Sequence, residues 1–95
     1  MVRPMTETNL ISAFAGESQA HMRYLIYADR ADQKGYPNIA RLFKATAYSE
    51  KVHAGNHYKN IQHKGDTPTF SDALFGSRTV EEDLQNGIDG GALRG

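Results

Sequence analysis

The stretch ADQKGYPNIARLF, residues 31–43, decides the fold. Gly35 suits the end of a helix, because glycine enters the left-handed conformation of a C-terminal cap without a Cβ penalty. Pro37 suits the first turn of the next helix, where its φ is already helical and its missing N–H would have had no partner. A stop and a start this close leave only a short turn. Two long helices joined in that way lie antiparallel.

On the N-terminal side of the turn, Thr6 to Lys34 contains no proline and a single glycine, Gly16. Leu10, Phe14, Ala20, Tyr24, Tyr27, Ala28 and Ala31 recur at the threes and fours of an amphipathic helix. The first helix is therefore expected over about 6–34, with Thr6 or Thr8 as its cap. On the C-terminal side, a second helix is expected over about 37–64, ending before Gly65 and Pro68. Residues 65–78 read as a loop whose Phe70, Leu74 and Phe75 pack across a helix end. Thr79 and Glu82 form a capping box for a short third helix over about 79–89, and the glycine-rich residues 90–95 read as a flexible tail. The fold class is all-α: a two-helix hairpin plus a short third helix, in one domain spanning 1–95.

Composition narrows the function. The 95 residues carry 11 basic and 11 acidic side chains, a formal net charge of +0, which gives no electrostatic case for nucleic acid or an anionic membrane. No run approaches the roughly 18 apolar residues of a membrane span, and the N-terminus has no apolar signal core, so a soluble, cytoplasmic chain is expected. With no cysteine, thiolate metal sites and thiol nucleophiles are excluded, leaving histidine and carboxylate as the strong ligands.

Those ligand types cluster. Glu50 and His53 are three residues apart and project from one side of the second helix. Ile39, Phe43, Thr46, Glu50, His53 and His57 step along what reads as its inward stripe. On the first helix Glu17 sits seven residues from both Leu10 and Tyr24, on the apolar stripe. A carboxylate there has to be paired, protonated or metal-bound, because burying it alone costs several kcal/mol. Glu17 lies 19 residues before position 36 and His53 lies 17 after it, so the two fall within roughly 3 Å in height at about 1.5 Å of rise per residue. The hairpin brings Glu17, Glu50 and His53 together.

Three such ligands are half of a di-iron carboxylate set, which takes one glutamate from each of two helices and a Glu-x-x-His from each of two others. A second copy related by a two-fold axis would complete the set and cover the open helix faces. A metal-free alternative stands beside this, in which Glu17 pairs with His21 or a partner's Arg23 and Glu50 with Arg41 in a structural oligomer. His53 and His57 also have a zinc-type spacing, but without the glutamate of the metalloprotease motif. His21 and His57 suit an entry or surface role, and His63 a favourable charge near a helix C-terminus.

The segment NLISAFAGESQAHMRYLIYADRADQKGYPNIARLFKATAYSEKVHA, residues 9–54, resembles the first half of the rubrerythrin family in the ferritin-like superfamily. AFAGESQA, the RY and YA pairs and the Glu-x-x-His-Ala carry the match in order and spacing. The resemblance implies a ferritin-like four-helix bundle, here assembled by pairing with a second chain, around a dinuclear non-haem iron centre. It implies an oxidoreductase, either a peroxide reductase or a ferroxidase, with Glu17, Glu50 and His53 as metal ligands. Tyr24 matches a tyrosine that the family holds just behind those ligands. Zinc or manganese are further candidate metals.

The family's third helix repeats a Gly-Glu motif with another glutamate three residues on, where this chain has Gly91 and Arg94. A weak internal match of residues 9–18 to 83–92 likewise sets Gly91 opposite Glu17. A fourth helix and a cysteine-bearing rubredoxin domain have no counterpart. The expected assembly is thus a homodimer or higher even-numbered oligomer served by an external donor such as rubredoxin. The competing functions are an iron-binding or storage module and a metal-free structural oligomer.

Overall fold

The computed structural model describes residues 7–61 and 79–90. The expected loop over 65–78 and the tail beyond Gly90 lie outside the described residues. All regular structure among the described residues is helical: α1 (Glu7–Gln33), α2 (Pro37–Lys59) and α3 (Val80–Asp89).

The turn between α1 and α2 is built on Gly35, whose φ of 84° is the left-handed conformation that side chains resist. The Tyr36 amide donates to the Ala31 carbonyl at 2.8 Å and the Gly35 amide to the Asp32 carbonyl at 3.1 Å, the paired bonds of a Schellman cap. Pro37 then opens α2. The chain reverses within three residues, and α1 and α2 pack along their length.

The core is narrow and rich in alanine. Phe43 and Ala47 of α2 are fully buried against Ala20, Tyr24, Tyr27 and Ala28 of α1. Tyr24, Tyr27 and Phe43 meet at ring separations of 5.3–6.1 Å. The buried line of α2 is Ala40, Phe43, Ala47 and Ala54. The inward stripe inferred from sequence is therefore rotated: Phe43 belongs to the core, Thr46 and Glu50 are half-buried at its edge, and His53 is exposed. Alanine lets the helices approach so closely that the contact centres on the smaller residues.

Sequence carried α2 to Lys64, but it closes at Lys59. Asn60 takes the cap, its amide donating to the His57 carbonyl and its side chain to the Asn56 carbonyl at 2.9 Å. Asparagine thus ends the helix ahead of the glycine.

At the head of α3 the Thr79 hydroxyl accepts from the Glu82 amide at 3.1 Å and the Glu82 carboxylate accepts from the Thr79 amide at 3.0 Å. This capping box and three acids in the first turn favour the helix N-terminus. Val80 joins Ala31 and Ala40 in a small cluster beside the hairpin turn. Farther along, Asp83 meets Arg30, Asn86 meets Tyr27, and Gly90 comes close to Tyr24. The descending partners show that α3 runs antiparallel to α1, and its C-terminal end arrives near the middle of the hairpin.

Candidate metal centre

Midway along α1, the helical stepping that buries Ala20 and Tyr24 leaves Glu17 at the border of the contact with α2. Glu50 and His53, one turn apart on α2, border the same contact. Nδ1 of His53 lies 3.5 Å from Oε2 of Glu17 and 3.8 Å from Oε2 of Glu50. One donor atom from each of the three residues falls within 4.8 Å of the others. The side chains of Glu17, Glu50 and His53 are 28%, 17% and 52% exposed.

These residues fit a divalent cation. Oε2 of Glu17 is buried and has no hydrogen-bond partner among the described residues. An orphaned carboxylate oxygen carries a large desolvation cost that a cation would offset. Two bonds of about 2.1 Å to one ion hold their donor atoms up to about 4.2 Å apart, so the His53 separations suit a common ion and the carboxylates need little adjustment. Imidazole with carboxylate is a set for iron, manganese or zinc.

Tyr24 shares a cavity of about 530 Å³ with Glu17, Glu50 and Arg23. Burial pushes its hydroxyl above the ordinary value of 10.0, the Arg23 guanidinium opposes that shift, and Tyr27 adds to it. The phenol therefore stays protonated at neutral pH and acts as a donor. It makes no hydrogen bond to Glu17 or Glu50 in this structure. His21 is turned away from the carboxylates, its Nδ1 donating to the Ala47 carbonyl across the hairpin at 2.6 Å. Arg41 is tied to Asn38 rather than to Glu50. Only His53 of the described histidines joins the cluster; His63, Gly91 and Arg94 lie outside the described residues.

Two features went unseen in the sequence. Asp83 is fully buried, and Nη1 of Arg30 donates to both of its oxygens at 2.7 Å, while the Asn86 side chain donates to the Tyr27 hydroxyl at 2.6 Å. These bonds fix α3 against α1. The available signal was the spacing of Val80, Asp83 and Gly87, which puts an acid on the buried face just as Glu17 stands on its stripe. The second is that Gly90 lines both cavities beside Glu17 and Glu50, so the end of α3 borders the centre.

An all-α hairpin whose helices converge two carboxylates and an imidazole is the arrangement of a ferritin-like helical protein with a candidate metal site. The rubrerythrin family profile matches residues 8–86. The chain belongs to the rubrerythrin family, a ferritin-like family of non-haem iron proteins. It is 48% identical over 87 residues to rubrerythrin-2 of Clostridium acetobutylicum, covering 90% of this chain and 47% of that protein. To nigerythrin of Nitratidesulfovibrio vulgaris it is 49% identical over 53 residues, covering 56% of this chain and 26% of that protein. A solved structure of nigerythrin in a mixed-valent state superposes with a TM-score of 0.77 at 33% identity, over 95% of this chain and 44% of that one. The chain thus spans about half the length, or less, of the relatives it matches. No helix among the described residues is long and apolar enough to cross a membrane.

Proposed function

We propose that two copies of this chain share one dinuclear non-haem iron centre, and that the assembly works in the cytoplasm as a rubrerythrin-like oxidoreductase, reducing hydrogen peroxide or oxidising ferrous iron. The observation that carries this is the convergence of Glu17, Glu50 and His53 within 4.8 Å, with Oε2 of Glu17 buried and accepting no hydrogen bond among the described residues. When bound, an iron pair would supply the two electrons of peroxide reduction.

The rest falls to the chain's own side chains. Glu17, Glu50 and His53 of each copy would hold the iron. Tyr24, kept protonated by burial and lining the same cavity, would offer the carboxylates a donor once they hold metal. Bound to the Ala47 carbonyl, His21 braces the hairpin at the height of the centre without competing for metal. The centre opens into cavities of about 530 and 480 Å³, which supports completion by a second copy. A space free of neighbours beside Gly16 would admit a partner helix close to α1. An external electron donor such as rubredoxin would re-reduce the assembly. The exposure of His53 also suits an iron-binding or storage role, the alternative to turnover.

The test is anaerobic ferrous loading followed by metal analysis and solution mass. About one iron per chain in an even-numbered assembly is expected, and a monomer that takes up no iron overturns the proposal. Glu50→Ala is expected to abolish iron binding with helical content retained, since alanine is a good helix former. Iron uptake surviving in that variant would refute the ligand assignment. Peroxide-dependent reoxidation faster than reoxidation by O₂ supports the peroxidase role, and the reverse supports the ferroxidase or storage role.

A further inference from the structure

The three candidate ligands come from two helices. Glu17 belongs to α1 and Glu50 and His53 to α2, so the spacing between the two groups depends on how far α1 is shifted along α2. Two metal bonds of about 2.1 Å span at most about 4.2 Å between donor atoms, and His53 and Glu17 already stand 3.5 Å apart across the helices. The slack is less than about 1 Å, whereas a slip of one residue along a helix is about 1.5 Å. The register of the hairpin therefore has to be held at this height.

Apolar packing holds it weakly there. Ala20, Ala28 and Ala47 supply much of the buried contact between α1 and α2, their side chains are short, and apolar attraction has no direction. The interlocked rings of Tyr24, Tyr27 and Phe43 lie towards the hairpin turn, and the Phe14 and Tyr58 rings, 5.1 Å between centroids, lie towards the open end. Between them stands a directional tie. Nδ1 of His21 lies 2.6 Å from the carbonyl oxygen of Ala47, 26 residues away in the sequence. A carbonyl only accepts, so Nδ1 carries the proton and the tautomer is fixed. His21 is one turn of α1 beyond Glu17, and Ala47 is one turn of α2 before Glu50. Each end of the tie thus sits next to a ligand. Glu17 and Glu50 carry like charge across the same contact, and without a cation they push the helices apart where the tie draws them together.

We infer that His21 is a positioning residue of the metal centre: its bond to the Ala47 carbonyl locks α1 against α2 and so sets the spacing of Glu17 from the Glu50 and His53 pair. It rests on the centre proposed above. His21 touches no metal; it acts through the backbone of α2, by presenting the ligands already spaced for one ion.

The experiment is titration of the full chain with Mn²⁺, reading free aqueous Mn²⁺ by electron paramagnetic resonance, alongside thermal melting of the metal-free protein. His21→Phe keeps a ring and removes the donor; it is expected to weaken Mn²⁺ binding about tenfold and to lower the metal-free Tm by about 5 °C. His21→Asn puts an amide Nδ2 at the same position along the side chain as Nδ1, and is expected to bring Mn²⁺ affinity back to within about threefold of the unaltered chain. Gly35→Ala places a side chain on the left-handed φ of 84° in the hairpin turn, which lowers Tm by a similar amount and leaves the tie intact. Its Mn²⁺ affinity is expected to stay within about twofold of the unaltered chain, because affinity follows the bond and not the stability. The inference is overturned if His21→Phe binds Mn²⁺ within about twofold of the unaltered chain, if Gly35→Ala weakens binding as much as His21→Phe, or if His21→Asn binds no better than His21→Phe. Should the unaltered chain bind neither Mn²⁺ nor Fe²⁺, the centre itself fails and the role of His21 with it.

Discussion

Tyr24 belongs both to the core and to the wall of the candidate site. Its ring closes the core against Phe43 and Tyr27, while its hydroxyl faces the cavity of Glu17 and Glu50. Because burial raises its folded pKa above the unfolded value near 10.0, the folded state retains a proton that the unfolded chain loses first. The stabilisation is fully present below about pH 10 and is lost as pH rises through the folded pKa. Tyr24→Phe is therefore expected to show a smaller fall in urea midpoint between pH 8 and 10.5 than the unaltered chain. Parallel pH curves for the two proteins would refute the buried-phenol account. At this scale the sequence was informative wherever a polar residue broke an apolar stripe, as at Glu17 and Tyr24. For Asp83 the spacing marked the buried face, but its partner Arg30, 53 residues away, is invisible to local pattern.

Among the elements, α3 depends most on its surroundings. Its 10 residues are fewer than an isolated helix needs to be stable in water, which is about 12–15. The capping box supplies part of the difference and docking on α1 the rest, through Val80, the Asp83–Arg30 pair and the Asn86–Tyr27 bond. Asp83→Ala leaves the Arg30 guanidinium, only 17% exposed, without its carboxylate, and is expected to cost about 3 kcal/mol in urea denaturation. Amide exchange should accelerate across Val80–Asp89 while α1 and α2 stay protected. Uniform loss of protection would mean that α3 is integral to the hairpin rather than docked on it. The hairpin turn and the capping box were readable from sequence because each rests on chemistry confined to a few consecutive residues. The end of α2 was not, since Asn60 and Gly65 are both acceptable stops and local pattern alone did not rank them.

On the scale of the whole molecule, most of the buried hydrophobic residues are alanines, and Phe43 is the only large apolar side chain that is completely enclosed among the described residues. Alanine contacts bring helices close but bury little area each, and a chain of this size has little surplus stability from a single core. Leu42, Tyr48 and Val52 remain exposed along α2, and Met22 and Ile26 along α1. Stability and function are then coupled: the carboxylates that would bind metal repel one another without it, and the faces that would seat a second copy are uncovered without it. Binding of a ligand to the folded state alone adds about 2.7 kcal/mol at a hundredfold excess over Kd, which for a domain of this size is a rise of roughly 10–20 °C in Tm. Saturating Mn²⁺ or anaerobic Fe²⁺ is accordingly expected to raise Tm by that amount in the unaltered chain and not at all in Glu50→Ala. For a shared centre the Tm of the loaded protein also rises with chain concentration, because assembly and folding are linked. A metal-induced rise that is independent of concentration, with the solution mass of one chain, would place the cation in a single hairpin and refute the two-copy arrangement while leaving the ligands in place.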